Sequence, residues 1–217
     1  MNDEVVASLR RHRLVPVIVI DDAGNAPDLG RALAAGGLPC AEVTFRTAGA
    51  REALARLAGE CPDVLAGAGT VLTPAQAKDA RDAGARFIVA PGFSPAVVDY
   101  CLEHEIPVFP GIATPTDIEA ALSRGLKVLK FFPAEPLGGV AYLKAISAPY
   151  ASVEFMPTGG VTVQNVASYL ALPRVVACGG SWMAPSDWIA GGDFERITDE
   201  VRQAVVAVQT TNGATHK

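Results

Sequence analysis

The sequence predicts an α/β fold, a single (β/α)8 TIM barrel with an extra N-terminal helix. Short apolar, β-prone runs alternate with Ala-rich amphipathic segments of helical length. The runs number about eight and recur every 20–27 residues or so, the rhythm of parallel strands joined by right-handed crossovers. A doubly wound sheet would share that rhythm. The glycine-rich G-x-G-x-x-G turn of a dinucleotide fold is missing, however, since Ile20-Asp21-Asp22-Ala23-Gly24 follows the first run.

The strand expectations, in order, are 15–20, 41–45, 64–68, 87–90, 107–110, 128–132, 153–156 and 175–178. Helices are expected between them at 26–35, 50–59, 74–83, 95–103, 115–123, 140–146 and 162–170. Thr73-Pro74, Ser94-Pro95 and Thr114-Pro115 are start signals, a hydroxyl cap followed by proline at the first helical position. Gly36-Gly37, Gly84 and Gly125 stand at the far ends, where a left-handed residue turns the chain back toward the sheet. Residues 5–9 and 194–208 add helices at the two ends.

At 217 residues, half of them apolar, the chain is long enough for one substantial core. A single domain over 1–209 is expected, with 210–217 a polar, frayed tail. A net charge of -5 with scattered arginines argues against a nucleic-acid partner. The four cysteines, Cys40, Cys61, Cys101 and Cys178, form no C-x-x-C pair, so they read as small buried residues in a reducing compartment. The segment Met1-Asn2-Asp3-Glu4 is acidic where a secretory leader is basic, and the apolar stretch from Leu14 to Ile20 is too short to span a bilayer. A cytoplasmic protein with no membrane partner is therefore expected.

In a barrel the chemistry sits at the C-terminal ends of the strands. Along the second strand, period two puts Glu42, Thr44 and Arg46 on one face and Val43 and Phe45 on the other. The apolar pair suits the helices, leaving Glu42 and Arg46 pointing inward. A buried carboxylate or guanidinium is costly unless paired or used, so a structural pair remains one reading of these two. The sixth strand sets Lys130 between Val128 and Phe132 on a shared face. An ammonium among such side chains loses hydration, which favours the neutral amine, the form that adds to a ketone. A lysine that snorkels to the barrel mouth or pairs with Glu42 is the alternative. Lys78 and Lys144 fall on helices, Lys127 at the start of a strand and Lys217 in the tail.

His12, His104 and His216 fall in the N-terminal helix, near a helix end and in the tail. None suits a metal-ligand cluster or a Ser-His pair, so no metal and no cofactor is expected. That leaves Glu42 as the proton carrier. At the last two strand ends, Thr158-Gly159-Gly160 and Gly179-Gly180-Ser181 read as glycine turns where barrel enzymes bind phosphate. Tight turns alone are the blander reading.

These stretches match a family. Glu42-Val43-Thr44-Phe45-Arg46-Thr47, Gly67-Ala68-Gly69-Thr70-Val71-Leu72, Pro91-Gly92, Pro110-Gly111-Ile112-Ala113-Thr114-Pro115, Lys130-Phe131-Phe132-Pro133-Ala134-Glu135, Pro157-Thr158-Gly159-Gly160 and Gly179-Gly180-Ser181-Trp182 resemble the 2-keto-3-deoxy-6-phosphogluconate (KDPG) and 4-hydroxy-2-oxoglutarate (KHG) aldolases. The resemblance runs from Val15 to about Ile197. It implies a class I aldolase with Lys130 as the Schiff-base lysine and Glu42 as general acid/base. It further implies that Arg46 and Thr70 hold the substrate carboxylate, and that Phe132, Thr158 and Pro91 line the pocket. Phosphate would be bound by Gly159, Gly160, Gly180 and Ser181, the substrate would be a phosphorylated 2-keto-3-deoxy sugar acid, and the assembly a homotrimer. A relative acting on the galactonate epimer, and a phosphate-binding barrel isomerase or synthase, remain open beside this reading.

Overall fold

The computed structural model describes residues 2–213. Helix α1 (Asn2–His12) leads into β1 (Leu14–Ile18), and a short 3-10 turn precedes α2 (Ala26–Ala35). The alternation continues through β2 (Cys40–Thr44), α3 (Ala50–Glu60), β3 (Leu65–Gly69), α4 (Pro74–Asp82), β4 (Ile88–Val89) and α5 (Pro95–Glu103). Then come β5 (Val108–Phe109), β6 (Gly111–Ile112), α6 (Pro115–Leu122), β7 (Val128–Phe131), α7 (Gly139–Ser147) and β8 (Glu154–Pro157). The last elements are α8 (Val166–Leu170), β9 (Cys178–Gly180), α9 (Ser186–Ala190) and α10 (Phe194–Gly213).

The strands form a curled parallel sheet in two hydrogen-bonded pieces, one in the order β5-β4-β3-β2-β1-β9 and one in the order β6-β7-β8. Pro110 separates β5 from β6 and has no N–H to give a ladder. The segment around it still serves both pieces: the Phe109 carbonyl accepts from Ala90 N, and the Pro110 carbonyl from Lys130 N. On the other side, single bridges join Phe155 to Val175 and Thr158 to Gly179. β1 and β2 are buried at every position, as strands covered on both faces must be. Val15, Ile18, Ala41, Val43, Leu129 and Phe131 belong to one continuous apolar core with the inner faces of the helices.

Local chemistry explains the boundaries. The Thr73 hydroxyl accepts from Gln76 N, and Thr114 with Asp117 makes a reciprocal capping box. Ser94 has the extended backbone of a cap, but its hydroxyl makes no capping bond. Gly37, Gly84 and Gly125 all have positive φ just past their helices.

Four expectations shift. The last strand is Cys178–Gly180 rather than 175–178, because Gly179 and Gly180 ladder with Val15 and Pro16 of β1, while Val175 makes only an isolated bridge. Gly179 and Gly180 are thus strand residues, and the expected second glycine turn is corrected accordingly. The helix expected from residue 162 begins at Val166, since the Asn165 side chain accepts from Thr162 N and closes a turn there. Helix α9 was not expected at all. The last helix runs on to Gly213, into the stretch read as a tail, and residues 214–217, including His216 and Lys217, lie outside the described residues. No helix among the described residues is long and apolar enough to cross a membrane.

Candidate active site

Adjacent strands carry their polar residues to one end of the sheet. Glu42 pairs in register with Val17 and Gly67, and Lys130 with Gly111 and Met156. Residues far apart in sequence are brought together by this curl: Lys130 Nζ lies 3.3 Å from Glu42 Oε1, with side chains only 4% and 1% exposed. Desolvation at that depth demands that the two charges face each other or be used. Gly69, the last residue of β3, makes the meeting possible, because a Cβ there would fall 2.2 Å from Glu42 Oε1. The thiol of Cys40, on the same strand as Glu42, is pushed up to about 12 by burial and by the Glu42 charge, which removes it as a competing nucleophile.

Just beyond the strand ends, Arg46 Nε donates to Thr70 Oγ1 at 3.1 Å. Thr70 holds a φ of 57°, an uncommon conformation for a β-branched residue, and so turns its hydroxyl to the guanidinium at the expense of backbone strain. Two neighbouring hydroxyls tie this rim to β1: Thr44 Oγ1 donates to the Ile18 carbonyl and Thr47 Oγ1 to that of Ile20.

The Lys130 ammonium lies 5.2 Å from the centre of the Phe132 ring. The same ring comes within 3.2 Å of a Cβ built on Gly159, so one ring neighbours both the amine and the turn after β8. In that turn Gly159 and Gly160 have φ of 96° and 81°, which glycine adopts without strain. The carbonyls of Thr158, Gly159 and Gly160 accept from Ala134 N, Glu135 N and Asn165 Nδ2 at 2.8, 3.0 and 3.0 Å. The amides of Gly160 and Val161 donate to no protein acceptor among the described residues. Carbonyls tied back and amides left over make the concave donor surface that suits an anion.

A cleft of about 530 Å³ opens here, walled by Arg46, Phe132, Thr158, Gly159, Gly160, Gly180 and Ser181, a size suited to a small acid. Seven of the eleven expected site residues thus share this wall; Lys130 and Glu42 meet each other beside Phe132, and Thr70 bonds to Arg46, without lining it. Pro91 is set apart from this wall: its carbonyl backs onto β6, 2.1 Å from where a Gly111 Cβ would be. The competing lysines fare as expected on geometry, Lys78 pairing with Asp82 on an exposed helix face. His12 ends α1, and His104 stacks on Tyr100 past α5, and neither belongs to the cleft wall. Sequence reasoning missed several wall residues, among them Val17, Val19, Trp182 and Asp187. Period two along β1 would have aligned Val17 and Val19, whereas Trp182 and Asp187 follow a strand end that was itself misplaced.

The fold is a curled parallel α/β sheet with an amine and a carboxylate buried together beside an amide-lined turn, and the relatives that share it make the protein a lyase, an aldolase. More particularly, the chain belongs to the KDPG and KHG aldolase family, whose model matches residues 5–200. It is 52% identical to the 2-dehydro-3-deoxy-phosphogluconate aldolase of Treponema pallidum over 204 residues, 94% of this chain and 97% of that one. The KDPG aldolase of Legionella pneumophila, solved with pyruvate captured at low pH as a covalent carbinolamine intermediate, superimposes with a TM-score of 0.89 at 41% identity, covering 92% of this chain and 97% of that one. The Zymomonas mobilis ZM4 enzyme, solved with 3-phosphoglycerate, gives 0.88 at 36% identity, covering 94% and 96%.

Proposed function

We propose that this protein cleaves 2-dehydro-3-deoxy-6-phosphogluconate to pyruvate and glyceraldehyde 3-phosphate through a Schiff base on Lys130. The observation that carries this reading is the buried amine–carboxylate pair, Lys130 Nζ to Glu42 Oε1 at 3.3 Å, with the amine against Phe132 of a cleft that ends in an anion-suited turn. Lys130 passes a proton to the Glu42 carboxylate and, as the neutral amine, adds to C2, forming the C–N bond of a carbinolamine. Glu42, within reach of the same nitrogen, delivers the proton with which water leaves, and the protonated imine becomes an electron sink. Glu42 then takes the C4 hydroxyl proton. The C3–C4 bond breaks, its electron pair passes into the imine to give an enamine, and the aldehyde departs. Protonation of the enamine at C3 and hydrolysis of the imine release pyruvate and free Lys130.

Arg46, steadied by Thr70, holds the substrate carboxylate as a charge-assisted pair. Phe132 and Thr158 flank the reacting carbons, with Pro91 backing the site from β6. The Gly159-Gly160 amides and the Gly180-Ser181 segment receive the phosphoryl group. The same amine and carboxylate serve 4-hydroxy-2-oxoglutarate, which has no phosphate to bind.

The barrel reading belongs to this proposal. The strand segment around Pro110 bonds to both sheets, and bridges join β8 to the segment of β9, which supports a single closed (β/α)8 domain over 1–209. A homotrimer in the cytoplasm completes it. The test is borohydride reduction in the presence of pyruvate: one pyruvate becomes covalently attached at Lys130, and Lys130→Ala loses both attachment and cleavage. Full activity in that variant, or an adduct elsewhere, would overturn the reading and favour a barrel isomerase that uses Lys130 as a charge.

A further inference from the structure

Two successive glycines with positive φ give a turn that the backbone alone does not hold in one shape. Three tethers hold this one from behind, and the most elaborate is Glu135, three residues past Phe132. Its amide donates to the Gly159 carbonyl at 3.0 Å. Its stem fills the space beneath the next residue, Cβ and Cγ lying 2.6 and 2.8 Å from where a Gly160 Cβ would be. The Glu135 carboxylate receives the hydroxyl of Tyr169, a fully buried side chain on α8. Gly139 closes over the pair, with Oε1 and the phenol oxygen 3.1 and 3.3 Å from its built Cβ.

We propose that Glu135 and Tyr169 are positioning residues for phosphate binding: the phenol fixes the Glu135 carboxylate, and the fixed stem holds the Gly159-Gly160 turn with its amides toward the cleft. A carboxylate left to swing toward that turn would also repel a phosphoryl group, and the phenol keeps it on the far side. Burial and the adjacent carboxylate raise the phenol above its ordinary range, so it stays a donor throughout the neutral pH region. The inference rests on the reading that a phosphoryl group occupies the turn.

The experiment compares Tyr169→Phe, Glu135→Ala and Glu135→Gln on the phosphorylated six-carbon substrate and on 4-hydroxy-2-oxoglutarate, with inorganic phosphate as a competitive inhibitor. Loss of one hydrogen bond to a charged group raises KM for the phosphorylated substrate, and the phosphate inhibition constant, roughly three- to tenfold for Tyr169→Phe and Glu135→Ala. Their kcat, their kcat/KM on 4-hydroxy-2-oxoglutarate and their trapping of pyruvate stay within about twofold. Glu135→Gln keeps the stem and an acceptor oxygen and recovers most of the lost affinity. Equal losses on both substrates, or an unmoved KM on the phosphorylated one, would overturn the proposal. Wild-type protein that inorganic phosphate fails to inhibit would overturn the phosphate reading itself, and this proposal with it. Tyr169→Phe removes a single oxygen and carries the comparison should Glu135→Ala fail to fold.

Discussion

A Cβ built on Gly69 lies 2.2 Å from Glu42 Oε1 and 2.6 Å from Glu42 Cγ, and the φ of Gly69 is one that any residue adopts. Gly69→Ala therefore adds a methyl group whose one effect is to push the carboxylate away from Lys130. A displacement of that order at the reacting groups costs about 10²-fold in kcat. Steady-state assays of Gly69→Ala should read that loss while circular dichroism reports an unchanged fold. Lys130 and Glu42 were legible in the sequence because alternation along a strand assigns a face to each polar residue, and burial makes a polar residue on the inner face conspicuous; Arg46, read as pointing inward on the same face as Glu42, instead lies exposed in the turn past β2, where alternation no longer applies. Gly69 was not legible, because its requirement comes from a side chain on the neighbouring strand. Thr70 and Pro91 were reached only through family resemblance, and the two now stand differently, Thr70 bonded to Arg46 and Pro91 behind β6.

At the scale of elements, helices with chemical punctuation were legible to within a residue or two, as at α2, α4 and α6. Some lacking it were read as closely, as at α3 and α7, whereas α8 and α9 were not. α9 is a five-residue turn with no apolar period to read, and β9 was displaced because Val175 to Cys178 is as β-prone as any strand, yet only Cys178–Gly180 finds the edge of β1. The end of α1 carries a pH signal. Burial, reinforced by the charge of Arg11, lowers His12 from its ordinary value. As pH falls through about 6.5 the unfolded chain takes up this proton first and the folded chain lags, so the native state loses stability until the folded imidazole also titrates. His12→Gln removes that contribution: the fall in Tm between pH 7.5 and 5.5 becomes shallower than in the wild type, and a variant whose fall is as steep would refute the assignment.

At the scale of the whole molecule, parallel order was legible from the alternation itself; the division of the described residues into nine short strands in two hydrogen-bonded pieces, where about eight runs were read, was not, since a proline inside a β-prone run does not announce which neighbour each half will join. One cost is paid at the centre. The Lys130–Glu42 pair is all but sealed from water, and a buried ion pair commonly stabilises less than well-packed apolar residues of similar volume would. The double variant Lys130→Met with Glu42→Leu should be inactive yet more stable, by roughly 1–4 kcal/mol in urea unfolding. Either single substitution, which strands one charge, should lower stability instead.

The same pair also has a place in time. Its two members are separated by 88 positions in the chain, with four helices and four strands between them, and the entropy of closing so long a loop is met only after intervening local structure has formed. Helices α2 to α6 can assemble without the pair, but the pair cannot assemble without the curl of sheet that they support. Catalytic competence is therefore among the last properties a refolding chain acquires and among the first a loosened one gives up, which makes turnover a report on whether both ends of the sheet have met.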